Sequence, residues 1–126
     1  MFGSSTLWPE KIDYNSAVMG FLAPNDTLYQ NWTKVLFTYC DGAFHQGDNA
    51  NPVSYKGAQL YFRGARITRS HFKWLNMNYG LNKASKVLFS GGSAGAIAAF
   101  IWGNYLQDQL DSPQSLYVVP DSGIFF

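Results

Sequence analysis

The chain has one cysteine, Cys40, and two histidines, His45 and His71. A lone thiol excludes an internal disulfide and a multi-cysteine metal site, and leaves open only a partner lying outside this segment. Charge is scarce as well: nine Lys and Arg and eight Asp and Glu in 126 residues give a formal net charge of +1. The basic residues are scattered, with Arg63, Arg66 and Arg69 the nearest approach to a cluster. Such a chain does not read as a nucleic-acid binder. No apolar run reaches the roughly 20 residues of a spanning helix. Met1 to Trp8 has neither a basic n-region nor an apolar h-region, so membrane insertion is not expected. Nor is there a repeat, a low-complexity tract or a linker that would divide the chain.

What the chain has in plenty is apolar and aromatic side chain, at 47% and 17% of residues. That is enough for a real core in one domain. Two N-glycosylation acceptor patterns, Asn25-Asp26-Thr27 and Asn31-Trp32-Thr33, point weakly toward secretion. The terminal Ile124-Phe125-Phe126 is apolar where domains normally end in polar residues, which leads to the expectation that the natural chain continues.

Residues 1–33 are turn-rich and show no firm element. Lys34 to Cys40 is a continuous apolar run of the kind expected of a strand buried on both faces. Residues 41–57 carry the glycines, asparagines and proline of a long functional loop, and Ala58 to Phe62 a short extended segment. Ala65, Thr68, Phe72, Leu75 and Tyr79 then fall at helical steps, with Gly80 as a left-handed stop. Val87-Leu88-Phe89 reads as a buried strand. A second helical pattern follows at Ala94, Ile97, Ala98, Ile101, Trp102, Tyr105 and Leu106, and Leu116 to Val119 reads as a third strand. Strand and helix in alternation imply parallel strands joined by right-handed crossovers, so the fold class expected is α/β, part of a doubly wound parallel sheet.

Gly91-Gly92-Ser93-Ala94-Gly95 fits G-x-S-x-G at the place where that pattern has mechanical meaning, between the end of a strand and the start of a helix. There the serine must take a strained backbone conformation, and positions two residues away must be small because strand and helix nearly collide. Ser93 is the expected nucleophile. The Ala94 N–H, at the positive end of the following helix, is the expected donor to the oxyanion formed when an ester carbonyl is attacked. The competing reading is a glycine-rich turn that binds phosphate or merely packs closely. The segment lacks both the Lys-Ser/Thr ending of a P-loop and the G-x-G-x-x-G of a dinucleotide fold.

A serine needs a base and an orienting carboxylate. His45 and His71 both precede Ser93, against the fold's usual order of serine, acid, histidine. His71, beside the apolar face of the first helix, is read as a packed or surface residue and not a catalytic one. His45, with Asp41 and Gly42 of the same loop, is a site-lining candidate, and so is Asp121 at the end of the third strand.

With these residues in view the chain resembles the pectin acetylesterase family, which also includes the Notum-type carboxylesterases. The resemblance is carried in order by Asn31-Trp32, Tyr39-Cys40-Asp41-Gly42-Ala43-Phe44 with Gly47-Asp48, Leu60-Tyr61-Phe62-Arg63-Gly64-Ala65-Arg66-Ile67, Ser90-Gly91-Gly92-Ser93-Ala94-Gly95 and Asp121-Ser122-Gly123. It implies an α/β-hydrolase fold and a Ser-His-Asp mechanism with no metal or cofactor, and it maps the family's serine onto Ser93. It also implies a second oxyanion donor upstream of Met1 and an acid and base beyond Phe126. On that footing residues 1–126 form the central portion of a longer catalytic domain and are inactive alone. Gly92 stands where plant members commonly carry cysteine, and Ala96 where a glycine is common. The Cys40 to Phe44 block favours an acetylated polysaccharide as substrate over the acyl protein of the animal deacylases, and the family implies secretion. The rival readings are a carbohydrate-binding relic of the same fold, and a gene fragment that does not fold by itself.

Overall fold

The structure, a computed structural model, describes residues 9–10 and 28–123. The acceptor tripeptide at 25–27, the start at 1–8 and the apolar terminus at 124–126 lie outside the described residues. The chain divides into two units, 1–38 and 39–126. In the first, a turn closes through the Trp32 N–H donating to the Tyr29 carbonyl at 3.1 Å, with the two rings edge to face at 5.1 Å. The expected strand at 34–40 is not one: residues 33–40 have no regular secondary structure and enter neither described sheet. An apolar run states a demand for burial, whereas a strand also needs a neighbour to take its backbone hydrogen bonds.

The second unit carries a hairpin whose first strand falls inside the segment read as loop and whose second falls in the segment read as extended. Strands β1 (Val53–Tyr55) and β2 (Ala58–Leu60) pair antiparallel, with Val53 opposite Leu60. Lys56 and Gly57 both have positive φ, 47° and 78°, as a two-residue connection matched to strand twist requires.

Helix α1 (Gly64–Tyr79) buries Ala65, Thr68, Phe72 and Leu75, the predicted stripe less Tyr79, which is exposed. Gly80 ends it in the left-handed region (φ 63°, ψ 39°), its N–H returning to the Asn76 carbonyl.

Strand β3 (Val87–Gly92), helix α2 (Ala94–Gln107) and strand β4 (Leu116–Asp121) follow, and β3 and β4 pair in parallel from Val87 opposite Leu116 to Gly92 opposite Asp121. The architecture is mixed α/β. α2 lies on this pair with Ala96, Ala99, Trp102, Gly103 and Leu106 inward, and a Cβ on Gly103 would meet Val118 Cγ2 at 3.2 Å. Ile101, expected on the inner face, is exposed together with Phe100. α2 is apolar on nearly every side, so hydrophobic spacing could not say which side turns inward. Phe72 joins the two helices to the sheet: its ring stands 5.9 Å from Phe89 and from Tyr105 and 6.4 Å from Trp102. No described helix is long and apolar enough to cross a membrane.

Candidate active site

β3 ends at Gly92 and α2 starts at Ala94, leaving Ser93 alone to make the turn. Its backbone sits at φ 52°, ψ −116°, a region costly for any residue with a Cβ. Three main-chain bonds hold it there. The Ser93 N–H donates to the Asp121 carbonyl at 3.0 Å, and the Ser93 carbonyl accepts from the Ala96 and Ile97 N–H groups at 3.0 and 3.3 Å. A serine at a helix N-cap ordinarily spends its hydroxyl on an N–H of the first turn. Ser93 makes no such bond, and its exposed Oγ has no hydrogen-bond partner among the described residues. The Ala94 and Gly95 N–H groups precede the first helical bond and point outward at the positive end of α2. An exposed hydroxyl and the open Ala94 N–H beside it can attack a carbonyl and receive part of the charge that develops on its oxygen.

The expectation that small residues flank the serine holds for one of the two. A Cβ on Gly91 would fall within the Gly95 backbone, whereas a Cβ on Gly95 would meet nothing within 4 Å. The closeness is between the Gly91 hydrogens and the helix main chain. Gly123 likewise lies against Ala96, so the turn after β4 rests on the first turn of α2.

The loop that reads as site-lining is built around Asp41. This carboxylate is 4% exposed. Its Oδ1 accepts from the Ala43 and His45 N–H groups at 3.1 and 3.2 Å, and its Oδ2 from the Gly47 and Gly64 N–H groups at 2.9 and 3.0 Å. The Asp41 carboxylate is thus spent on the main chain, each oxygen accepting two backbone N–H groups. Through Gly64 it supplies the anion that α1 lacks locally, since the N-cap residue Arg63 makes no side-chain cap. A Cβ on Gly64 would overlap the carboxylate. Gly42, at φ 63°, opens this turn. The missed signal was the glycine at the first helical position with no polar cap before it, which marks a helix start capped from elsewhere.

His45, at φ 60°, has its imidazole stacked on the Tyr39 ring at 4.9 Å. Its carbonyl accepts from Trp102 Nε1 at 3.0 Å and Thr68 Oγ1 at 3.5 Å, which fastens the loop to both helices. Burial pushes the His45 pKa below its ordinary value, the Asp41 charge opposes that and His71 adds to it; burial lowers His71 too. Asp121 meets Ser93 through its main chain, and its carboxylate Oδ1 accepts from Ser122 Oγ at 2.8 Å. Neither His45 nor the Asp121 carboxylate is hydrogen-bonded to Ser93 Oγ. Further along the same loop, Asp48 pairs with Arg66 at 2.9 Å and Arg69 at 3.5 Å, and the Arg66 hydrogen bond is the main cause holding its carboxyl below the usual pKa.

Comparison with known proteins gives this geometry a context. The chain is 33% identical over 126 residues to pectin acetylesterase 11 of Arabidopsis thaliana, covering 99% of this chain and 31% of that protein. It is 32% identical over 127 residues to pectin acetylesterase 7 and 29% identical over 123 residues to pectin acetylesterase 5 of the same plant, covering 31% and 28% of those proteins. The chain thus spans about three-tenths of the length of these relatives. No solved structure matches. A family profile described as Pectinacetylesterase matches residues 1–126 from end to end, and the chain belongs to that family.

Proposed function

We propose that the full-length protein is a serine carboxylic-ester hydrolase that removes acetyl groups from pectin outside the cell, with Ser93 as nucleophile. The observation that carries this reading is the conformation of Ser93, strained, uncapped and exposed between β3 and α2. Ser93 Oγ adds to the acetyl carbonyl while a base takes its proton, and the Ala94 N–H holds the oxyanion. The intermediate collapses to an acetyl-enzyme as the sugar hydroxyl leaves with a proton. Water then releases acetate by the reverse assignment of roles. The base and acid come from parts of the protein outside this chain, as does a second oxyanion donor. The parallel β3–β4 pair is the centre of a wider doubly wound sheet of α/β-hydrolase type, and residues 1–126 alone do not turn over substrate. No cofactor or metal enters the scheme.

The test uses full-length protein and Ser93→Ala, measuring acetate released from acetylated pectin and covalent labelling by a serine-directed phosphonate. Loss of the nucleophile should lower kcat by about 10⁴-fold or more and abolish labelling. A Ser93→Ala protein that still releases acetate at the parent rate overturns the assignment. A parent protein that binds pectin but neither labels nor hydrolyses is a binding relic of the fold.

A further inference from the structure

A cleft of about 340 Å³ opens between α1 and the end of α2, lined by Arg69, Lys73, Asn76 and Met77 from the first, Tyr105 from the second and Gln109 from the turn that follows it. It is remote from the nucleophile: Tyr105 lies about 17 Å along α2 from its start, at 1.5 Å per residue.

The lining has a definite chemistry. The Arg69 guanidinium lies over the Trp102 ring, 5.5 Å from its centroid, and is partly neutralised by Asp48 at 3.5 Å. Lys73 is exposed and forms no ion pair among the described residues. It also stands before the last turn of α1, where a cation would be answering the negative helix end. Asn76 Oδ1 is buried beside the cleft and accepts no hydrogen bond from the described residues. Turning that amide toward an incoming hydroxyl gains a hydrogen bond that those residues do not supply. Tyr105 is held edge-on against Trp102 at 5.4 Å, so it offers a fixed aromatic wall, and Met77 an adaptable apolar one.

One free cation and one half-spent one suit a single carboxylate better than a polyphosphate. An orphan acceptor asks for a hydroxyl, and the walls for a flat apolar face. A uronic acid ring offers all three. We infer that the cleft is an accessory subsite for a uronate unit of an acidic polysaccharide, its carboxylate on Lys73 and Arg69, a hydroxyl on Asn76 and its ring against Tyr105 and Met77. That the uronate belongs to pectin rests on the function proposed above; the need for a carboxylate and a hydroxyl rests on the cleft. Such a subsite would hold the polymer on the enzyme between deacetylation events.

The experiment is calorimetric titration of full-length protein with unesterified trigalacturonate and with neutral galactotriose. The parent protein should bind the acidic trisaccharide and not the neutral one. Lys73→Gln should weaken binding about tenfold, the loss of one charge-assisted contact. Asn76→Asp, which sets a like charge in the cleft without changing volume, should weaken it further. Wild-type affinity in both variants, or equal affinity for galactotriose, overturns the proposal. Hydrolysis of a small aryl acetate by the unmodified protein reports separately on the esterase reading, because trigalacturonate carries no ester.

Discussion

Asparagine in place of Asp41 changes one atom and should undo much of the loop built around it. The carboxylate accepts four backbone N–H groups, two on each oxygen, at 4% exposure. An asparagine keeps one acceptor oxygen and turns an NH₂ toward the other pair. The Gly47 and Gly64 bonds are the shorter, so the oxygen should settle there and leave the Ala43 and His45 N–H groups facing a donor. Two half-buried donors without partners cost toward the low end of about 1–3 kcal/mol each, giving about 2–3 kcal/mol in all. The two bonds that survive lose their charge assistance as well. Against a total of about 5–15 kcal/mol for an ordinary domain this is severe. Urea unfolding of full-length Asp41→Asn reads the magnitude, and amide hydrogen exchange reads the location, with Ala43 and His45 losing protection before Gly47 and Gly64. Asp48→Asn, on the exposed ion pairs, is the control and should have a far smaller effect. An Asp41→Asn midpoint within about 0.5 kcal/mol of the parent would refute the idea that this carboxylate organises the loop.

Gly91→Ala drives a Cβ into the Gly95 main chain, where neither partner is a movable side chain, and should cost about 3 kcal/mol or more with loss of activity. Gly95→Ala meets nothing among the described residues and should unfold like the parent; equal destabilisation by the two would show that the turn is arranged otherwise. Burial depresses the pKa of both His45 and His71 below 6.5 in the folded protein. The unfolded chain therefore takes up protons first as the pH falls, so their contribution is complete above 6.5 and declines below it. Urea midpoints at about pH 8 and about pH 5 should differ less in a His45→Gln/His71→Gln protein than in the parent, and an unchanged difference would remove both imidazoles from the acid response.

The sequence was most legible where spacing alone decides structure. α1, its Gly80 stop, β3, α2 and β4 stand where apolar periodicity and turn residues put them, and the parallel pairing follows from their alternation. The turn at Ser93 was legible too, because a single residue between strand and helix leaves few backbone choices. What escaped was structure made by partners distant in sequence. Nothing in Val35-Leu36-Phe37 says whether another strand lies alongside. The β1–β2 hairpin has strands of three residues and a Lys-Gly turn, without the Asn-Gly or Asp-Gly dipeptide that announces such connections. Asp41 reads locally as a polar loop residue, and its role emerges only when Gly64, twenty-three positions later, arrives to share it.

The bond from the Ser93 N–H to the Asp121 carbonyl has a bearing on the order in which the protein takes shape. During synthesis the whole Gly-x-Ser-x-Gly segment is made before α2 and β4 exist. Until β4 has crossed back and zipped onto β3 as far as Gly92, the strained turn lacks its anchor, and Ser93 is free to relax into an ordinary helix cap that occupies its own hydroxyl. The conformation of Ser93 is thus a late product of folding and not a local one: it comes into being only as the crossover closes.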